Sequence, residues 1–148
     1  MIILGDVLGV FSAKNKTGSI LRPSVEKLNL IEGHGIEHDR YAGKDLSKSV
    51  MIVGKKAYDI AKAHDIKLVA GSFGENILTD FDPHDFVDGT VICIGDTKLR
   101  MRESCSICKH LAEYDKRLPK LVQYHRGVYF EILEGGTVQK NQMITLAP

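Results

Sequence analysis

This chain of 148 residues is poor in cysteine, with three, and poor in net charge, with 20 basic residues against 19 acidic ones. Three cysteines without an export signal make no disulfide framework, which leaves metal binding, redox work or nucleophilic chemistry for them. A formal charge of +1 supplies no long-range field for gathering nucleic acid or an anionic membrane, so any anion site has to be local. Long apolar runs are missing as well. The segment Met1 to Asp6 lacks the basic start and extended apolar stretch of a signal peptide, and no segment is long enough to span a bilayer. The expectation is a cytoplasmic protein that binds neither nucleic acid nor membrane. Its 43% hydrophobic content suffices for one core, hence one domain over residues 1–148.

What is present is a series of short apolar runs punctuated by Gly, Asp and Asn. Ile3 to Phe11, Ser49 to Val53, Thr90 to Ile94, Lys98 to Met101, Val128 to Leu133 and Gln142 to Leu146 have the length and β-branched content of strands. Gly95-Asp96 and Gly135-Gly136 supply turns between them. These runs imply a mainly β fold, an antiparallel sheet or closed barrel with a few peripheral helices. Helical spacing is confined to two places: Gly54 to Asp65, with Ala57, Ile60, Ala61 and His64 in phase, and Ile107 to Leu118, which Pro119 is expected to stop. The polar, glycine-bearing stretch Gly33 to Lys48 reads as a functional loop.

The densest chemistry lies in Glu103-Ser104-Cys105-Ser106-Ile107-Cys108-Lys109-His110. A thiolate is the reactive form of cysteine, and a first helical turn with Lys109 and His110 beside it would lower the pKa of Cys108. A structural zinc site needs four ligands and the second pair is missing, although His110 and His125 are available. A thioredoxin-type dithiol opens the helix of a βαβ unit, whereas the residues before Cys105 read as β hairpin. A single nucleophilic or metal-binding thiolate at Cys108, with Cys105 as neighbour or resolving thiol, requires nothing that is absent. Cys93, in an apolar run, reads as core packing.

Three further segments carry polar groups in suggestive settings. Asp39 and Arg40, in Gly33 to Tyr41, either shape the loop or meet a polar ligand. Glu75 and Asn76, in Gly71 to Leu78, need hydrogen-bond partners if buried, and bracing a loop is the simpler role for them. Arg126 and Gly127 precede a strand, where the guanidinium could bind phosphate or carboxylate if the fold brings it beside Cys108. Lys44, Arg100 and Arg102 are substitutes for that task. The run Asp80, Asp82, Asp85 and Asp88 lacks the glycine and glutamate of an EF-hand and reads as a solvated connection.

Taken in order, Gly35-x-Glu37-x-Asp39-Arg40, Gly74-Glu75-Asn76-Ile77-Leu78, Gly95-Asp96-x-x-Leu99, Cys105-x-x-Cys108-x-x-Leu111, Gly127-Val128-Tyr129 and Gly135-Gly136 resemble the MOSC domain family, named for the C-terminal domain of molybdenum cofactor sulfurases. The resemblance implies a closed β-barrel with peripheral helices and a functional cysteine at Cys108, which would also be the metal ligand. It implies a molybdopterin-type molybdenum cofactor, with Asp39, Arg40, Glu75, Asn76, Arg126 and Gly127 near its pocket. The implied activity is sulfur transfer or reduction of N-hydroxylated compounds; the alternative is a non-catalytic carrier of sulfur or cofactor. The aminotransferase-like domain that extracts sulfur with pyridoxal phosphate is not contained here, so a sulfur donor or an electron-transfer protein is the expected partner. His38, Ile107 and Lys140-Asn141 depart from residues frequent in the family, namely glycine, proline and a glycine-aspartate turn.

Overall fold

A computed structural model describes residues 1–15, 19–106 and 109–148. The described residues form ten strands and two α-helices: β1 (Ile2–Val10), β2 (Lys27–Ile31), β3 (Gly35–Ile36), β4 (Val50–Gly54), α1 (Lys55–Ala63), β5 (Ile77–Thr79), β6 (Val91–Ile94), β7 (Thr97–Ser104), α2 (Leu118–Leu121), β8 (Val128–Glu134), β9 (Gly136–Gln139) and β10 (Met143–Leu146). Seven of the strands close into a barrel in the order β1-β10-β6-β7-β8-β4-β5, and β3-β2-β9 form a small separate sheet. The mainly β, closed-barrel expectation therefore holds. All but one of the barrel pairings are antiparallel; β4 and β5 run parallel, because the chain leaves β4 into α1 and returns to the same side.

β4 explains why one strand can serve two cores. Every residue from Val50 to Gly54 is buried. Side chains alternate across a strand, so Val50 and Ile52 enter the barrel interior with Phe130, Leu99 and Ile144, while Met51 and Val53 face outward. The outward pair packs under α1 and α2 with Ala57, Ala61, Phe73, Leu118 and Val122. A continuous apolar run is the signature of a strand covered on both faces. The same period of two corrects the reading of Cys93: Ile92 and Ile94 point into the barrel and Cys93 lies half-buried on the outer side.

The second predicted helix differs from expectation. Residues Lys109–Glu113 form a 3₁₀ helix, and an α-helix, α2, begins only at Leu118. Pro119 does not end a helix but stands in the first turn of α2, where its missing N–H has no intrahelical partner to lose. Strands β2, β3 and β9, which the apolar pattern had not singled out, are short and carry polar or glycine residues. Asn141 stands at a φ of 76°, a left-handed conformation that asparagine tolerates better than most residues, and so serves the β9–β10 turn without glycine.

Phe130 is 1% exposed at the centre of the barrel, whereas Lys98 and Glu134 form an exposed pair at 3.5 Å. Phe130→Ala is therefore expected to cost roughly 3–5 kcal/mol in urea unfolding. Lys98→Ala should change stability by less than about 1 kcal/mol.

Candidate functional site

The antiparallel pair β7 and β8 sets the first wall of the site. Their ladder runs to Ser104 opposite Val128, and the next step is a backbone bond in which the Cys105 amide donates to the Gly127 carbonyl at 2.8 Å. Cys105 thus arrives beside Arg126 and Gly127. Its thiol is 3.4 Å from the Tyr129 hydroxyl, and Lys48 lies over the Tyr129 ring with its ammonium 5.4 Å from the centroid. Cys108, together with Ile107, lies outside the described residues. The chain then enters the short 3₁₀ helix Lys109–Glu113, which takes the place of the longer α-helix expected there.

The second wall is the segment Gly71 to Asn76. Glu75 is fully buried and accepts hydrogen bonds from the Tyr58 hydroxyl at 2.6 Å, the Phe73 amide at 3.2 Å and the Gly71 amide at 3.3 Å. Burial pushes its carboxyl pKa up, and the three donors pull against that by favouring the ionised form. Tyr58 is pushed up as well, first by burial and then by the neighbouring Glu75 charge, so its hydroxyl remains a donor. The Asn76 side chain accepts from the Met51 amide at 3.0 Å and donates to the Phe11 carbonyl at 3.2 Å.

The third wall is the loop after β3. Asp39 is 8% exposed, and its carboxylate accepts from the Ser12 hydroxyl at 2.7 Å, Arg22 at 3.2 Å and the Tyr41 amide at 3.1 Å. Arg22 also donates its Nε to the Gly74 carbonyl at 2.7 Å, which joins the second and third walls. Around the Tyr41 ring stand three cations: Arg40 at 4.5 Å, Arg22 at 5.0 Å and Lys44 at 5.6 Å from the centroid. Arg40 also donates to the Tyr41 hydroxyl. His38 holds the tight turn before Asp39 at a φ of 66°. That conformation suits glycine better than a residue with a side chain.

These walls enclose a cavity of about 620 Å³. Five lining Lys and Arg residues, Arg22, Arg40, Lys44, Lys48 and Arg126, stand against three acids, Asp39, Asp45 and Glu103. Each acid is already engaged: Asp39 with Arg22, Glu103 with Lys48 at 3.6 Å, and Asp45 with the amide and hydroxyl of Ser47. A chain with almost no net charge has concentrated positive charge at one place. At its floor lies Arg126, 4% exposed, whose guanidinium carbon is 5.7 Å from the centroid of the buried Phe73 ring. Its Nε and Nη1 are buried and have no hydrogen-bond partner among the described residues. A buried guanidinium with unused donors costs several kcal/mol unless an anion meets it.

The residues singled out from sequence divide into two groups. Asp39, Arg40, Asn76, Cys105 and Arg126 all line the cavity. Glu75 and Gly127 stand behind its walls as framework. Gly127, at a φ of 131°, has no room for a side chain, since a Cβ would come within 2.9 Å of Val53. Of the substitute cations, Lys44 lines the cavity; Arg100 and Arg102 are paired with Glu131 at 3.8 and 3.4 Å, away from it. Arg22 was missed because nothing in its sequence neighbourhood marks it; Tyr41, Lys48 and Tyr129 lie in stretches that were marked, Gly33 to Lys48 and Gly127-Val128-Tyr129, but were not singled out within them. Among the described residues no cluster of three or more His, Cys, Asp or Glu side chains could hold a metal ion. No described helix is long and apolar enough to cross a membrane.

The MOSC domain profile matches residues 38–145. Among solved structures, the YUAD protein from Bacillus subtilis superimposes with a TM-score of 0.78 at 16% identity, over 96% of this chain and 94% of that one. YiiM from Escherichia coli gives 0.73 at 18% identity, over 100% of this chain and 70% of that one. YiiM from Geobacillus stearothermophilus gives 0.70 at 18% identity, over 99% and 75%. Comparison with the curated proteins returns no match.

Glu75→Ala would strand the Tyr58 hydroxyl and the Phe73 amide, while the Gly71 amide keeps the Tyr58 oxygen at 3.0 Å as acceptor, and is expected to cost roughly 3 kcal/mol. The raised pKa of Glu75 also makes a pH prediction. Its contribution to stability is complete below the unfolded carboxylate value and is lost as pH rises through the folded one. Urea unfolding of wild type relative to Glu75→Gln, which cannot titrate, should show wild type losing ground as pH rises.

Proposed function

Because this chain belongs to the MOSC domain family, we propose that its cavity binds a molybdopterin-type molybdenum cofactor by its phosphate and that Cys108 supplies the thiolate that meets the metal or carries sulfur. The observation that carries this reading is Arg126, a buried cation with unused donors at the floor of a cationic cavity. Phosphate is the natural complement of such a group, since a guanidinium can give it two parallel charge-assisted hydrogen bonds. When bound, the cofactor supplies a two-electron redox centre suited to oxygen or sulfur transfer, and a soft thiolate is a fitting protein ligand for it.

The residues of this chain have separable roles in that reading. Arg126 anchors the phosphate, with Arg40 and Lys44 adding charge at the cavity wall and the Tyr41 ring between them. Asp39, Glu75, Asn76 and Gly127 hold the walls rather than the ligand. Cys105, held beside the Tyr129 hydroxyl, is the neighbouring thiol that protects or resolves Cys108. Reduction of an N-hydroxylated substrate consumes two electrons and two protons and releases water, so the reductase reading includes an electron-donor partner. Sulfur transfer instead calls for a sulfur-donor partner that loads Cys108. The carrier reading differs only in lacking turnover.

Protein produced alongside the cofactor's biosynthetic enzymes should retain pterin and molybdenum, measured by fluorescence of the oxidised pterin and by metal analysis. Arg126→Met should lower pterin retention by about tenfold or more, as expected when charge-assisted hydrogen bonds are removed. Cys108→Ser should abolish metal or sulfur loading while the circular dichroism spectrum is unchanged. Full retention in both variants would refute the assignment.

A further inference from the structure

We propose that Asp82, His84 and His125 form a clamp that positions Arg126, and that the clamp makes anion binding weaken on acidification instead of strengthening. The inference rests on Arg126 being the anion anchor. None of the three residues lines the cavity. The short turn Pro83–Asp85 is seated directly against the end of β4: a Cβ on Gly54 would come within 2.6 Å of the Phe81 carbonyl and 2.9 Å of the Asp82 Cα. From this turn two ties reach the segment His125-Arg126-Gly127. Asp82 Oδ2 pairs with His125 Nδ1, and its Oδ1 accepts the His84 amide at 2.9 Å. His84 Nε2 accepts the Gly127 amide at 2.9 Å.

Arg126 is thus flanked on both sides by residues tied to one rigid turn. The buried Nε and Nη1 of its guanidinium make no hydrogen bond with the described residues that would fix it. The clamp supplies what the side chain lacks, a backbone held in register with the cavity floor. It also explains an acidic run that reads from sequence as a solvated connection: Asp82 is engaged, while Asp80 accepts from the Asp6 amide elsewhere.

One tie depends on protonation. An imidazole nitrogen accepts the Gly127 N–H only while it carries a lone pair, so a protonated His84 would set donor against donor. Charged groups face His84 from both flanks: Asp82 and Asp85 from its own turn and His125 from across, with ring centroids 6.2 Å apart. β4, packed against the turn, has no ionisable side chain. Burial, helped by His125, lowers the pKa of His84 against the pull of the two aspartates, so the accepting form prevails at neutral pH. Simple electrostatics predicts the opposite consequence of acid, since an added cation near an anion site should tighten binding.

The test uses inorganic sulfate, which stays a dianion from about pH 7.5 down to about pH 4.5, a range that extends below the ordinary histidine value and so reaches the lowered one of His84. Affinity is read from the Arg126 Nε–H and Gly127 amide resonances of the full chain. Wild-type affinity is expected to fall by roughly fivefold or more on acidification, the scale of one lost hydrogen bond, with the Gly127 amide moving along the same titration. His84→Gln, whose carbonyl accepts at every pH, should bind as wild type at about pH 7.5 and lose the acid response. His84→Leu should bind weakly throughout. Wild-type affinity that is flat or rises in acid, or a His84→Gln variant that keeps the fall, overturns the clamp. In that case loss of sulfate binding in Arg126→Met leaves the anchor standing. Absence of any sulfate response in wild type overturns both.

Discussion

Four hydrogen bonds centred on Asn76 hold the barrel closed and, with it, everything at the cavity. Asn76 precedes β5, the strand that must bridge β1 and β4. Its amide N–H donates to the Met51 carbonyl and its side-chain oxygen accepts the Met51 amide, while its carbonyl and side-chain nitrogen take the amide and carbonyl of Phe11. One side chain therefore duplicates the ladder on both flanks, where a strand of three residues offers few bonds of its own. Met51, Phe73 and Gly74, all lining the cavity, depend on this junction for their places.

Around that junction two buried ionisable groups are treated in opposite ways. Glu75 is surrounded by donors from its own loop and from Tyr58, so its capacity is used within the protein. Arg126, over the Phe73 ring, is left with donors to spare. The first arrangement stabilises the fold; the second costs stability and is retained where binding benefits from a preorganised charge. The acids that line the cavity, paired with Arg22 and Lys48 or with Ser47, do not cancel Arg126.

Much of this was legible in the chain. The apolar runs marked β1, β4, β6, β7, β8 and β10, and the helical phase of Ala57 and Ala61 marked α1, because burial on one or both faces imposes a period that composition reveals. Glu75 and Asn76 declared themselves as polar residues in an apolar setting, and bracing proved to be what their side chains do. Strands β2 and β9 were hidden since each buries one face against the barrel and carries polar groups on the other over four or five residues. Pro119 misled because a proline that starts a helix and one that ends it look alike until the neighbouring backbone is seen.

By itself the sequence determined the mainly β class, the cysteine pair, the glutamate–asparagine brace and the arginine before β8, all of which follow from local pattern and residue chemistry. Only the tertiary structure decided which cations converge. Arg22 reaches Gly74 across 52 residues of chain and His125 reaches Asp82 across 43, and no local periodicity records such meetings. The physical reason is that charge at a site is a sum over spatial neighbours, whereas a chain with a formal charge of +1 shows only that the total is small.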